Sequence, residues 1–250
     1  RMGPHGAPDP RTLATRIGGM TPEQSREWWA FQPLPSLTER LQPADLDRAL
    51  QQLREQQALA TATPADARTL LRRLHYDLTG LAPSMQQVDA FAADPSATAW
   101  QAEIERLLQS PQYGIHWGRH WLDVVRYADS TGGGRSMMLP DAWRFRDYVI
   151  RSFNDDKPYD QFLREQLAGD ELPEVTRDSL VATGFYRLGI WDDEPADRKL
   201  AMYEGFDDIL TTGSQGMLGL TLNCARCHDH KIDPLPAADY YSTLAFFRNI

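Results

Sequence analysis

The run Cys224-Ala225-Arg226-Cys227-His228 holds both cysteines of the 250-residue chain and sets a histidine directly after the second. Two thiols three positions apart on a short turn can each add to a vinyl group of one haem, and the next imidazole then lies under the iron as proximal ligand. So short a run delivers all three contacts, and the rest of the chain is expected to be arranged round it. Three other readings use the same residues. A thioredoxin-like Cys-x-x-Cys needs a strand before it in a βαβ setting, and Thr212 to Asn223 is only weakly strand-like. A disulfide between Cys224 and Cys227 would close a very short loop and add little stability. Zinc could be held by Cys2His2 if His116 and His120, four apart on an expected helix, joined the thiols, but His228 would then have no role.

The length suffices for a sizeable core, as one large domain or as a domain with an extension. Seven tryptophans and 10% aromatic residues suit the burial of a large flat cofactor. A formal charge of −9 argues against nucleic acid or an anionic membrane surface as main partner and suits a basic electron-transfer partner. No apolar run approaches the roughly 18 to 20 residues that span a bilayer, so no transmembrane segment is expected. The start at Arg1 fits a processed product. Covalent haem attachment in bacteria follows export, so a removed signal peptide and a periplasmic or secreted location are expected. The absence of further cysteines fits an oxidising compartment.

Residues 1–20 are rich in Gly and Pro and read as a mobile tail in which His5 is solvated. Thr21-Pro22-Glu23 is a helix start, and Gln32 to Leu37, with two prolines, reads as extended. Helices are expected from Pro43 to about Leu59, from Ala65 to Asp77 with Gly80 as stop, and from a Ser84 cap to about Ala93. Another runs from Thr98 to Leu108, with Trp100, Ile104, Leu107 and Leu108 inward. His75 reads as a structural residue. In residues 111–130, Trp117, Trp121, Val124 and Ala128 form an apolar stripe with His120 beside it. His120 is either a core or surface histidine or the second axial ligand of the iron.

Thr131 to Arg135 is glycine-rich but lacks the Lys and Ser or Thr of a P-loop, so no nucleotide site is read from it. Further helices are expected at Asp141 to Phe153, Pro158 to Leu167, Leu180 to Leu188 and Lys199 to Leu210. Arg144, Arg146 and Arg151 could meet haem propionates or nearby acids. Asp192, Asp193, Glu194 and Asp197 read as a solvated helix start rather than a calcium loop. Residues 237–248 form an aromatic helix expected to pack Tyr240, Tyr241, Leu244, Phe246 and Phe247 against the core or the porphyrin.

Gly219 to Pro234, with Asp239 to Tyr241 and Ala245 to Phe247 after it, resembles the planctomycete secreted cytochrome-like domain, a family of unknown function. Thr69 to Leu81, Arg119 to Ser130 and Trp143 to Leu172 add to the likeness, which runs from about Trp28 to the end. The resemblance implies a secreted, mostly helical c-type haem protein with Cys224 and Cys227 as attachment points and His228 as proximal ligand. His120, His230, Arg126, Asp129 and Asp170 fall inside the family's strings. Members continue into a second large domain, so a C-terminal companion domain or a redox protein is the expected partner.

The chain is thus expected to be mainly α, an irregular multi-helix c-type cytochrome-like domain with few or no strands. Its expected parts are a tail over 1–20, a helical extension over 21–62 and a covalent-haem domain over 63–250. One haem c is expected, with Arg226 and Arg126 as further cofactor contacts and His120, or less favourably Met217, as sixth ligand. Electron transfer is the leading function. The alternative is a haem oxidoreductase, with carbohydrate as a substrate class and His230, Lys231, Asp233 or Asp129 in proton transfer. A structural zinc node in a binding module is the non-redox alternative.

Overall fold

The structure, a computed structural model, describes residues 22–33, 42–133 and 135–250. The expected tail, with His5, and the extended reading of residues 34–37 lie outside them. The described residues hold eleven α-helices. They are α1 (Pro22–Arg26), α2 (Pro43–Gln56), α3 (Ala67–Thr79), α4 (Met85–Ala93), α5 (Ala97–Leu108), α6 (Pro111–Val124), α7 (Ala142–Asn154), α8 (Tyr159–Ala168), α9 (Arg177–Ala182), α10 (Arg198–Thr212) and α11 (Ala237–Phe246). No strand forms among the described residues beyond one isolated bridge, Ser130 to Met138. The protein is mainly α, as its periodicity predicts. No helix among the described residues is long and apolar enough to cross a membrane.

Several helices begin where short polar side chains take up free backbone N–H groups. Asp66, Ser96 and Asp197 accept from the N–H groups of Thr69, Ala99 and Leu200, and Ser84 with Gln87 forms the expected reciprocal box. Asp197 therefore caps α10, while Arg135 pairs with Asp193 and Glu194, which makes the acidic stretch a helix start. Four helices end in a left-handed residue. Gly80 ends α3, as expected, but Ala58, Arg126 and Asp156 take the same role after α2, α6 and α7.

The first core lies between α6, α7, α8 and the stretch after α9, where Trp121, Val125, Phe145, Tyr148, Val149, Phe162 and Phe185 are buried together. α6 and α7 run antiparallel and very close. A Cβ on Gly114 would lie 2.4 Å from the Ile150 carbonyl oxygen, and one on Gly118 3.4 Å from the Ile150 side chain. The buried face of α6 is therefore Gly114, Gly118 and Trp121. This corrects the expected stripe: Trp117 and Val124 are 38% and 45% exposed, because the glycines claim the contact side. Leu108, expected inward, is exposed as well, and of the aromatic helix Tyr240, Leu244 and Phe247 pack on the core while Tyr241 and Phe246 do not.

A second core joins α10 to the chain after it: Phe206, Leu210, Leu222, Ala225, Leu235, Tyr240 and Leu244. Phe247 packs against both cores.

Candidate functional site

α10 does not end cleanly. It runs on through one π turn, Gly213–Met217, and after Gly219 in left-handed conformation the chain enters a 3-10 turn, Leu222–Arg226. In a 3-10 turn side chains three apart eclipse one another. Leu222 and Ala225 accordingly lie together in the second core, while Cys224 in the turn and Cys227 at its C-cap are exposed. Both thiols are free and exposed, and the residues between and before them, Ala225 and Leu222, are anchored in the core.

His228 follows, also exposed. Its Nδ1 lies 2.7 Å from the Asp229 carbonyl oxygen. A carbonyl can only accept, so Nδ1 carries the proton and Nε2 keeps its lone pair. Ligating histidines are held in this way by a hydrogen bond from the other ring nitrogen.

His230 is turned the other way. It is buried, and its Nδ1 accepts from the backbone N–H groups of Asp233 and Ile232 at 2.8 and 3.2 Å. Its Nε2–H donates to Thr221 Oγ1 at 2.8 Å. Both nitrogens are engaged, and the ring ties the loop after the cysteines to the residue before their turn. The 3.6 Å approach of Nδ1 to Asp233 is not an ion pair in this tautomer. Asp229 Oδ1 accepts from Ala237 N–H at 2.8 Å and so fixes the start of α11. Lys231 is exposed and Asp233 half-buried on the same loop.

Arg226 pairs with Asp207 of α10 at 2.7 Å, and the Tyr240 hydroxyl donates to the same carboxylate. Asp208, the next residue, lies 2.9 Å from Arg126 Nε. The structure thus brings Arg126 and Arg226 to adjoining carboxylates on one helix. The Arg126 contact is poorly aligned, and Nε, Nη1 and Nη2 have no hydrogen-bond partner although all three are shut off from water. Burial pushes the guanidinium below its usual range against the pull of Asp208, and burial raises Asp208 in turn.

His120 is exposed on α6, with its ring 5.2 Å from that of His116 and 5.4 Å from Trp117. One turn further, Val124 meets the π turn: a Cβ on Gly216 would lie 2.6 Å from Val124 Cγ1. The helix stripe that carries His120 therefore leads to the segment feeding the cysteines. Met217 packs against the first core. Asp129 is placed elsewhere: it accepts from the Tyr127 hydroxyl at 2.7 Å, a contact that with burial holds the phenol well above its usual range. His75 is buried and donates to Glu103 at 2.7 Å, the structural role expected of it. Arg144, Arg146 and Arg151 pair with Asp141, Asp147 and Asp178.

Among the described residues, no three His, Cys, Asp or Glu side chains converge on a point where a metal ion could be held. His116, His120, Cys224 and Cys227 therefore do not form a four-ligand cluster. A haem asks less: two free thiols and one imidazole nitrogen with a free lone pair, and those groups are present and exposed at Cys224, Cys227 and His228. Thr221 and Asp207 were beyond sequence reasoning, since their partners lie 9 and 19 residues away. A large groove of about 1080 Å³ lies among Phe145, Leu180, Tyr186, Phe247 and Ile250 and contains none of the cysteine turn.

Fold and site together define a helical domain, strandless in its described residues, that presents Cys-x-x-Cys-His on a single anchored turn. The chain belongs to the family described as PSCyt2, protein of unknown function (DUF1549), whose sequence model matches residues 45–250. No curated protein and no solved structure matches it.

Proposed function

We propose that this protein is an exported c-type haem carrier that transfers single electrons, with Cys224 and Cys227 as attachment points and His228 as proximal ligand. The observation that carries the reading is the pairing of two free exposed thiols with a neighbouring imidazole whose Nδ1–H is already spent on a backbone carbonyl. Each thiol would add across one vinyl group, sulfur to one carbon and its proton to the other, so attachment needs no oxidant. A bound haem supplies one-electron chemistry at its iron.

The chain's own part is placement. Leu222 and Ala225 hold the thiols at the surface, and His230 and Asp229 fix the loop that presents His228. His120 is the residue proposed for the sixth position, and Arg126 is the donor proposed for a propionate. A bis-histidine iron would have a lower potential than a His/Met one.

Export with haem-attachment machinery, followed by an absorption spectrum before and after denaturation, tests the proposal. A Soret band that stays with the unfolded polypeptide supports it, and a band lost to solvent overturns it. His120→Ala should convert a low-spin spectrum to a high-spin one; an unchanged spectrum removes His120 from that position.

A further inference from the structure

A second cavity, of about 260 Å³, opens where α6, α7 and α8 meet, and none of its lining residues belongs to the cysteine turn. Its walls are aromatic: Tyr113, Trp121, Phe153, Tyr159 and Phe162. Trp121 and Tyr159 stand at 88° with centroids 6.2 Å apart, and Trp121 meets Phe162 at 60° and 5.0 Å. Rings at such angles form the sides of a box.

The donors on these walls are committed to the protein. Trp121 Nε1–H is given to buried Gln166 at 2.9 Å, and Ser152 Oγ–H to the Tyr148 carbonyl at 2.9 Å. Lys157 Nζ lies 2.5 Å from Glu165 Oε2 and 4.6 Å from the centre of the Tyr148 ring, so its charge is matched from the core side. Asp156 is different. Its carboxylate has no hydrogen bond or ion pair, and its charge adds to burial in pushing the Tyr113 phenol above its usual range. The two phenol hydroxyls can accept as readily as donate.

What remains to a ligand is a set of π faces, two phenol hydroxyls and one carboxylate. An anion would meet the like charge of Asp156 with only the Tyr113 and Tyr159 hydroxyls to set against it, and a sugar would find few of the paired donors and acceptors it needs. A cation that makes no hydrogen bonds of its own is satisfied by ring faces and a counter-charge. The backbone adds weight. Asp156 occupies the left-handed position after α7, with φ 49°, where Lys157 N–H reaches the Ser152 carbonyl at 2.9 Å. Glycine is the unstrained residue there, so the carboxylate stands at the mouth against local backbone preference.

We infer that this cavity binds a small alkylated ammonium of choline size, with Trp121 and Tyr159 supplying ring faces and Asp156 the counter-charge. Calorimetric titration of the full chain with choline and with its uncharged isostere 3,3-dimethylbutan-1-ol tests this. Choline should bind saturably, and the isostere at least about tenfold more weakly. Asp156→Gly should not lower the melting temperature, since it relieves the backbone, yet should weaken choline about tenfold. Tyr159→Ala, at a site already 55% exposed, should weaken it about three- to tenfold. Equal affinity for the isostere, unchanged affinity in Asp156→Gly, or no saturation by about 50 mM choline overturns the inference.

Discussion

Backbone conformation marks three residues that sequence patterns treat as ordinary. Ala58, Arg126 and Asp156 each follow a helix in the left-handed region, with φ of 51°, 64° and 49°. A side chain there costs about 1–2 kcal/mol, which glycine avoids at a smaller entropic cost. Ala58 is exposed and serves no site, so Ala58→Gly should stabilise the protein by about 0.5–1 kcal/mol, read as a raised urea midpoint with unchanged slope. Arg126 and Asp156 carry charge at those positions instead. His230 shows the same separation of roles. It is a candidate acid or base by residue type, but both ring nitrogens are held inside the loop. His230→Ala would strand Thr221 and two backbone N–H groups and should cost about 1–3 kcal/mol in the same measurement.

Between elements, the closest joint is α6 against α7, and it was hidden because glycine has no hydropathy. A pattern of large apolar residues picks out Trp117 and Val124, while contact is made by Gly114 and Gly118, whose small size lets the helices approach. Gly114→Ala would press a methyl group onto the Ile150 carbonyl and Asn154 and should cost about 1–3 kcal/mol. Gly205→Ala in α10 meets nothing within 4 Å and should stabilise by about 0.5–1 kcal/mol. Two helix starts, by contrast, were legible, since Ser84 and Asp197 act on residues only three positions away, while the equally local caps Asp66 and Ser96 replace starts expected at Ala65 and Thr98.

α7 and α8 are joined by a buried carboxylate. Burial alone would raise Glu165, but hydrogen bonds from Lys157, Gln161 and Tyr148 outweigh it and hold the group below the ordinary glutamate range. A lowered folded value means that its stabilisation is complete above the ordinary 4.5 and is lost as pH falls below it. Glu165→Gln should therefore flatten the acid limb of the stability profile. Glu165→Ala, which leaves Lys157 buried without its partner, should cost about 3 kcal/mol at neutral pH.

In the whole molecule, α10 ties the parts together. Ile209 belongs to the first core, Phe206 and Leu210 to the second, and Asp207 and Asp208 face Arg226 of the cysteine turn and Arg126 after α6. The cysteine run was plain in the sequence because its spacing is local. What supports it was not, because Asp207, Thr221 and the core behind Ala225 come together only in the folded chain. With a formal charge of −9, the proposed electron transfer, if made to a basic partner, should slow steeply as salt rises. The most direct test is the intact mass of the protein exported with haem-attachment machinery. The account predicts the polypeptide plus one haem, reduced to unmodified polypeptide in the Cys224→Ala, Cys227→Ala double variant. An unmodified wild-type chain with both thiols still titratable contradicts it.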